Sequence, residues 1–322
     1  MHARRTAHHL RAGLTPDVAR GPTMERRAHG LLRATGLDAP AHLQRVDDAV
    51  GLLLPGTALG GWASLLLQGN DWFDGCTGDG VRPALVHCSP GTQLRRREVI
   101  TPYRGRVLDE ELTVVDVGER VAASTLARAA FDEGRIAPDL RAAVVAIDMA
   151  VSTTHHRPRT TLDAVRRVEA RHVKVRGVVQ VRKALSLASE RSASPAETRT
   201  RLVAQLDAGL TGLRVNAPLF DPDGALLGVA DLVDPETGLV IETDGAGHRE
   251  IEQHTLDNRR EEAFERAGCV VVRATALDHR DRWGLSARIV RGRLDASRTS
   301  RRRWTLDPPP WWSTWPGARP WL

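Results

Sequence analysis

The chain has 322 residues, of which 41% are hydrophobic and 27% charged, and it carries a formal net charge of +6 at pH 7. That length exceeds one average domain and suits two, each able to bury a core without disulfide or metal staples. The cysteines, Cys76, Cys88 and Cys269, are odd in number, far apart and in no Cys-x-x-Cys pair, which argues against thiolate zinc and thiol exchange and fits a reducing cytosol.

Residues 1–14 hold no apolar stretch of signal-peptide length, and the longest oily run, residues 63–67, is too short for a bilayer. A soluble cytoplasmic protein without membrane contact is therefore expected. The positive charge suits a polyanion, because side chains that neutralise phosphates release counterions. Yet the basic residues are nearly all Arg, with Lys174 and Lys183 the only lysines, as the codon usage of a GC-rich genome also produces. Charge alone leaves nucleic-acid binding undecided.

In chain order, residues 24–35 read as a short helix closed by Gly36, and Leu43, Val46 and Val50 mark a second helix. Residues 1–50 are thus predicted to be a small helical unit, either a bundle or a winged-helix remnant. Residues 56–69 read as a helix packed by Leu59, Leu65 and Leu66, and 69–80 as a Gly/Asp-rich loop. Short apolar runs at 84–87, 99–101 and 112–117 suit strands. Residues 119–190 return to helical periodicity, with Leu140, Val144, Val145 and Ile147 on one face. The region 51–185 is accordingly expected to be helix-rich α+β.

The block over residues 190–295 is the most informative. Ser194-Pro195-Ala196-Glu197 sets an N-cap, a first-turn proline and a capping glutamate, and Gly209 with Gly212 ends the helix. Three strands, 214–220, 226–233 and 239–244, are separated by the turns Asp221-Pro222-Asp223-Gly224 and Asp234-Pro235-Glu236-Thr237-Gly238. A polar helix over 250–267 and a β-branched strand over 269–273 complete an order of helix, three strands, helix, strand. The tail, 296–322, mixes Arg301, Arg302 and Arg303 with prolines and Trp304, Trp311, Trp312, Trp315 and Trp321. It could stack on single-stranded bases, fold back over an apolar patch, or be disordered.

A second turn centred between Glu236 and Thr237 sets Asp231 opposite Glu242, and strand alternation sends Asp244 to the face of Glu242. Carboxylates gathered beside Val229, Val240 and Ile241 carry an electrostatic cost that a hard divalent cation, or raised carboxyl pKa values, would relieve. Such a cation could polarise a phosphoryl oxygen and acidify a bound water, with His248 placed to shuttle a proton. Glu197 divides evenly between a capping role and an outer site role. Arg249, Arg260 and Arg273 are candidate nucleic-acid contacts.

The strings Gly228-Val229-Ala230-Asp231-Leu232, Leu239-Val240-Ile241-Glu242-Thr243-Asp244-Gly245 with His248, Asp257 with Arg260, and Gly268-Cys269-Val270-Val271-Val272-Arg273 resemble the very-short-patch-repair-like endonuclease domain, domain of unknown function 559. That family belongs to the restriction-endonuclease-like, PD-(D/E)XK superfamily. The resemblance spans about residues 190–280. It implies an αβββαβ core and magnesium held mainly by Asp231 and Glu242, with Glu197 contributing from outside. The superfamily places a Lys two residues after the Glu, where this chain has Asp244; Asp-Gly at that place is usual in the narrower family. Leu53-Leu54-Pro55-Gly56, Trp62-Ala63 and Leu67-Gln68-Gly69 more loosely resemble AbiEi-type antitoxins of abortive-infection systems. The resulting expectation is a magnesium-dependent DNA endonuclease or nickase acting on duplex DNA. The alternative is a non-catalytic, antitoxin-like repressor that binds its own promoter with a degenerate nuclease fold.

Overall fold

The computed structural model describes residues 3–6, 8, 12, 14–36, 38–244, 251–299, 302–315 and 317, and for residues 251–258 the backbone alone. The chain forms two compact α/β units, one of Met1–Ala150 with Arg157–Ser186 and one of Val151–His156 with Leu187–Leu322.

The first unit opens with β1 (Arg4–Arg5), α1 (Pro16–Arg20), β2 (Met24–Ala28), β3 (Leu31–Ala34) and α2 (Ala41–Leu52). The helix predicted over residues 24–35 is a β-hairpin instead. Its turn holds Gly30 at φ 72°, and β3 lies between β2 and β1, hydrogen-bonded on both sides. Tertiary pairing outweighs the modest helix preference of Met, Glu, Arg and Leu. The single helix predicted over 56–69 divides into β4 (Thr57–Gly60) and α3 (Gly61–Leu67). A small ribbon, β5 (Cys76–Thr77) with β6 (Gly80–Val81), interrupts the predicted loop. Then come β7 (Ala84–Cys88), β8 (Ile100–Tyr103), β9 (Leu112–Asp116) and β10 (Arg120–Ser124), forming with β4 a sheet of order β8-β7-β4-β10-β9. Strand β10 falls inside the stretch read as helical. Helices α4 (Leu126–Ile136), α5 (Leu140–Val151), α6 (Leu162–Arg171) and α7 (Val178–Leu187) follow.

In the second unit α8 (Pro195–Leu202) begins where predicted, with Ser194 Oγ accepting the Glu197 N–H at 3.2 Å. It continues as a wider π turn, Val203–Asp207, and Gly209 at φ 70° ends it. Strands β11 (Arg214–Phe220), β12 (Leu226–Val233) and β13 (Leu239–Thr243) run antiparallel. Each turn is built by its leading aspartate: Asp221 Oδ1 accepts the Asp223 and Ala225 N–H groups, and Asp234 accepts the Glu236 N–H and the Thr237 hydroxyl. Helix α9 (Ile251–Arg266) crosses over to β14 (Val270–Ala274), which lies parallel to β13, and α10 (Arg282–Ser297) follows. The sheet order is β11-β12-β13-β14.

Strand β13 is buried along its whole length because apolar layers cover both faces. On one face Leu232, Leu239 and Ile241 pack with Val203, Leu285 and Ile289, and on the other Val233 and Val240 pack with Phe264, Ala267 and Trp304. Each of these Val, Leu, Ile and Phe side chains contributes roughly 1.5–3 kcal/mol on burial, which keeps the strand and the polar groups it carries in place. Helix α10 reaches the sheet through Gly292, where a Cβ would stand 2.6 Å from Val272 Cγ2. The tail folds back onto this unit: Phe220 and Thr305 exchange backbone hydrogen bonds of 3.0 and 2.8 Å, and Trp304 enters the core. Among the described residues, no helix is long and apolar enough to cross a membrane.

Candidate functional site

Strand registers decide which side chains meet. Leu232 faces Ile241 and Val233 faces Val240, so one step further the same register sets Asp231 against Glu242. On the other side Val215 faces Leu232 and Ala217 faces Ala230, which sets Asn216 against Asp231. Glu242 in turn lies beside Arg273 on β14. A polar row, Asn216, Asp231, Glu242 and Arg273, therefore crosses all four strands.

The sheet is irregular along this row. Asn216 sits at φ 45°, a left-handed backbone that Asn tolerates better than most residues. Val215 and Leu232 pack with the α10 core, whereas Ala217 and Ala230 pack with the Phe264 core, so the pleat resets between them. Carboxylates take over amides at the break: the Asp231 N–H donates to Glu242 Oε1 at 3.2 Å, and the Thr243 N–H donates to Asp231 Oδ2 at 2.7 Å. The two acids thus stand interlocked at the point where β12 and β13 part.

Positive groups approach from α9 and β14. Arg260 Nη2 donates to Glu242 Oε2 at 2.5 Å, while Arg273 pairs with Glu261 and stands 3.6 Å from Asp244. From the sequence, a cation or a raised carboxyl pKa relieves the crowding; the structure adds these two arginines, contributed by neighbouring elements. Their guanidinium groups, expected to contact nucleic acid, are engaged with carboxylates. The relief is incomplete, because burial, followed by the charges of Glu242 and Glu197, pushes the Asp231 carboxyl well above its ordinary range. The Thr243 N–H and Arg260 pull it the other way without prevailing.

Glu197 closes no capping box onto Ser194; it reaches past the helix start to its neighbours. Its Oε2 accepts the Ala193 N–H at 2.8 Å and Asn216 Nδ2 at 2.7 Å, and its charge reaches Asp231. Asn216 and Arg191 escape the sequence reading. Asn216 Nδ2 also donates to the Arg191 carbonyl, and the Arg191 guanidinium donates back to the Val215 and Asn216 carbonyls, holding the left-handed backbone of β11 at the row. Burial lowers the Arg191 pKa. One signal was present for Asn216: it is the polar interruption in the apolar run of β11. His248 and Arg249 lie outside the described residues, as does the side chain of Asp257.

Among the described residues, no three His, Cys, Asp or Glu side chains stand ready-made as a metal cage. The donor chemistry nevertheless fits a hard divalent cation: Asp231 and Glu242 supply carboxylate oxygens, and Asp231 is held under a surplus of negative charge that a cation would neutralise.

A pH experiment follows from this crowding. The folded Asp231 pKa exceeds the unfolded value, so between the two the folded chain holds the extra proton, and this residue's contribution to stability declines as pH rises from about 4. The Asp231→Asn variant removes that term. Its melting temperature relative to wild type, measured without divalent metal, is expected to rise with pH across that window; a flat difference would show that Asp231 is not crowded.

No protein-family model matches this chain, and no curated protein does either.

Proposed function

We propose that the second unit is a divalent-metal-dependent endonuclease or nickase that hydrolyses DNA phosphodiester bonds on a restriction-endonuclease-like core. The observation that carries this reading is the interlocked pair Asp231 and Glu242 at the parting of two central strands, with Asp231 destabilised as an anion. The sequence likeness to very-short-patch-repair-like endonucleases, covering the same strands and acids, supports it. Asp231 and Glu242 would hold magnesium, which when bound polarises a phosphoryl oxygen and acidifies a water. Glu197 positions the row through Asn216, and Arg260 and Arg273 bring positive charge to the face a phosphodiester backbone would approach. Asp244, in place of the superfamily Lys and beside Arg273, would accept the hydrogen of the attacking water.

The test is nicking of supercoiled plasmid by the purified chain. Magnesium is expected to support it, EDTA to stop it and restored magnesium to recover it, with the Asp231→Asn variant inactive throughout. Cutting that is indifferent to EDTA would sink the metal assignment.

A second reading, a DNA-binding regulator with a degenerate nuclease core, is favoured by the Arg260–Glu242 pair and by Asp244 where the Lys would be. It expects affinity for the chain's own promoter that falls steeply with salt and is indifferent to magnesium and to Asp231→Asn.

A further inference from the structure

A polar network unrelated to the carboxylate row lies in the first unit. His87 on β7 is 3% exposed, and its Nε2 stands 2.9 Å from Oδ2 of Asp132, which is 0% exposed. Asp132 also receives Arg128 at 3.1 Å and Arg135 at 2.8 Å. Burial alone would raise the Asp132 carboxyl, but His87, Arg128 and Arg135 outweigh burial and hold it below the ordinary carboxylate range. Nε2 faces Asp132 at ion-pair distance without a directed hydrogen bond, and the other ring nitrogen, Nδ1, has no hydrogen-bond partner among the described residues either. Buried polar atoms are seldom left unmet, so this nitrogen calls for a partner from outside the chain.

Where such a partner would sit follows from the ring's setting. A Cβ on Gly60 would stand 2.5 Å from His87 Nε2 and 2.9 Å from Cδ2, so that edge of the ring lies against Gly60 of β4. Nδ1 is on the opposite edge. His87 lines a cavity of about 510 Å³ that also takes in Thr57 and Ala58, the β4 residues preceding Gly60 by two and three positions, together with Ser89, Arg104 and Arg106. The volume is that of a small-molecule site. Arg104 and Arg106 are exposed. Against them the same cavity presents one acid, Asp109, so its charge is positive overall.

We propose that this cavity is a binding site for a small anionic ligand, a carboxylate or phosphate, received at depth by His87 and at the surface by Arg104 and Arg106. An imidazolium carries two N–H groups, so one edge of such a ring can face Asp132 while the other, at Nδ1, faces an oxyanion. The proposal does not depend on the nuclease reading, since every residue in it belongs to the first unit.

Inorganic phosphate and adenosine 5′-monophosphate are the probes, titrated into the full chain labelled with ¹⁵N-histidine, with chloride at matched ionic strength and adenosine as controls. A saturable shift of the His87 Nδ1 resonance is expected with at least one anion and with neither control. Because Arg104 and Arg106 are exposed, the R104Q/R106Q double variant should keep the wild-type melting temperature while binding at least tenfold more weakly. Glu242→Ala should bind as wild type does. Absence of a saturable shift with both anions, an equal shift with chloride, or affinity unchanged in R104Q/R106Q would each overturn the proposal.

Discussion

Replacing Glu242 by alanine is expected to lower magnesium-dependent plasmid nicking at least ~10³-fold, the effect of removing several kcal/mol of charge stabilisation from the reacting phosphate. The same residue also holds the local fold, because it accepts the Asp231 N–H and the Arg260 guanidinium while only 7% exposed. Alanine leaves that amide without its acceptor, a cost of about 1–3 kcal/mol. Glutamine separates the two roles. Glu242→Gln keeps an oxygen for the Asp231 N–H and removes a negative charge beside Asp231, so it should melt closer to wild type than Glu242→Ala while being equally inactive. Nicking by either variant at the wild-type rate would remove Glu242 from the site. Equal melting of the two variants, both well below wild type, would assign the loss to charge rather than to the amide.

The second unit was legible because its signals are local. Ser194-Pro195 with Glu197 starts a helix by filling the open N–H positions of its first turn, and Asp221 and Asp234 close their turns with their own side chains. With turn length fixed, the register followed, and with it the opposition of Asp231 and Glu242. What could not be read was long-range. Arg260 stands 18 residues beyond Glu242, and it takes the helix crossing over the sheet to bring the two together. The hairpin of β2 and β3 was misread because Met24, Glu25, Arg26, Leu31 and Leu32 favour helix when taken alone; the pairing of β3 with Arg4 and Arg5 decides otherwise. Strand β10, rich in alanine, is held between β4 and β9, and nothing in its own composition announces a strand. The resetting of the pleat at Asn216 required the backbone itself: a single left-handed residue on β11 lies level with the break where Asp231 of β12 meets Glu242 of β13.

Trp304 provides the sharpest test of what the tail does. Base stacking would require its ring to be open, yet Trp304 is 5% exposed, packed in the core that covers Val233 and Val240, with Arg302 stacked 3.9 Å from its ring centroid. A Cβ on Gly238 would stand 3.1 Å from the ring, so the turn leading into β13 is fitted around the indole. Trp304→Ala is therefore expected to cost about 3–5 kcal/mol, with a fall in melting temperature on the order of 10 °C. Trp311 is 42% exposed; its Nε1 donates to the Gly224 carbonyl at 3.1 Å and its ring meets Phe220, Trp312 and Trp315 edge-on, so Trp311→Ala should cost less than Trp304→Ala, about 1–3 kcal/mol. Thermal melts of the two variants, read beside their affinity for single-stranded DNA, separate the roles. If Trp304→Ala kept the wild-type melting temperature and lost DNA affinity, the tail would be a stacking platform. Since the same core fixes β13, the destabilised variant should also lose nicking as the temperature approaches its lowered midpoint, with Glu242 untouched.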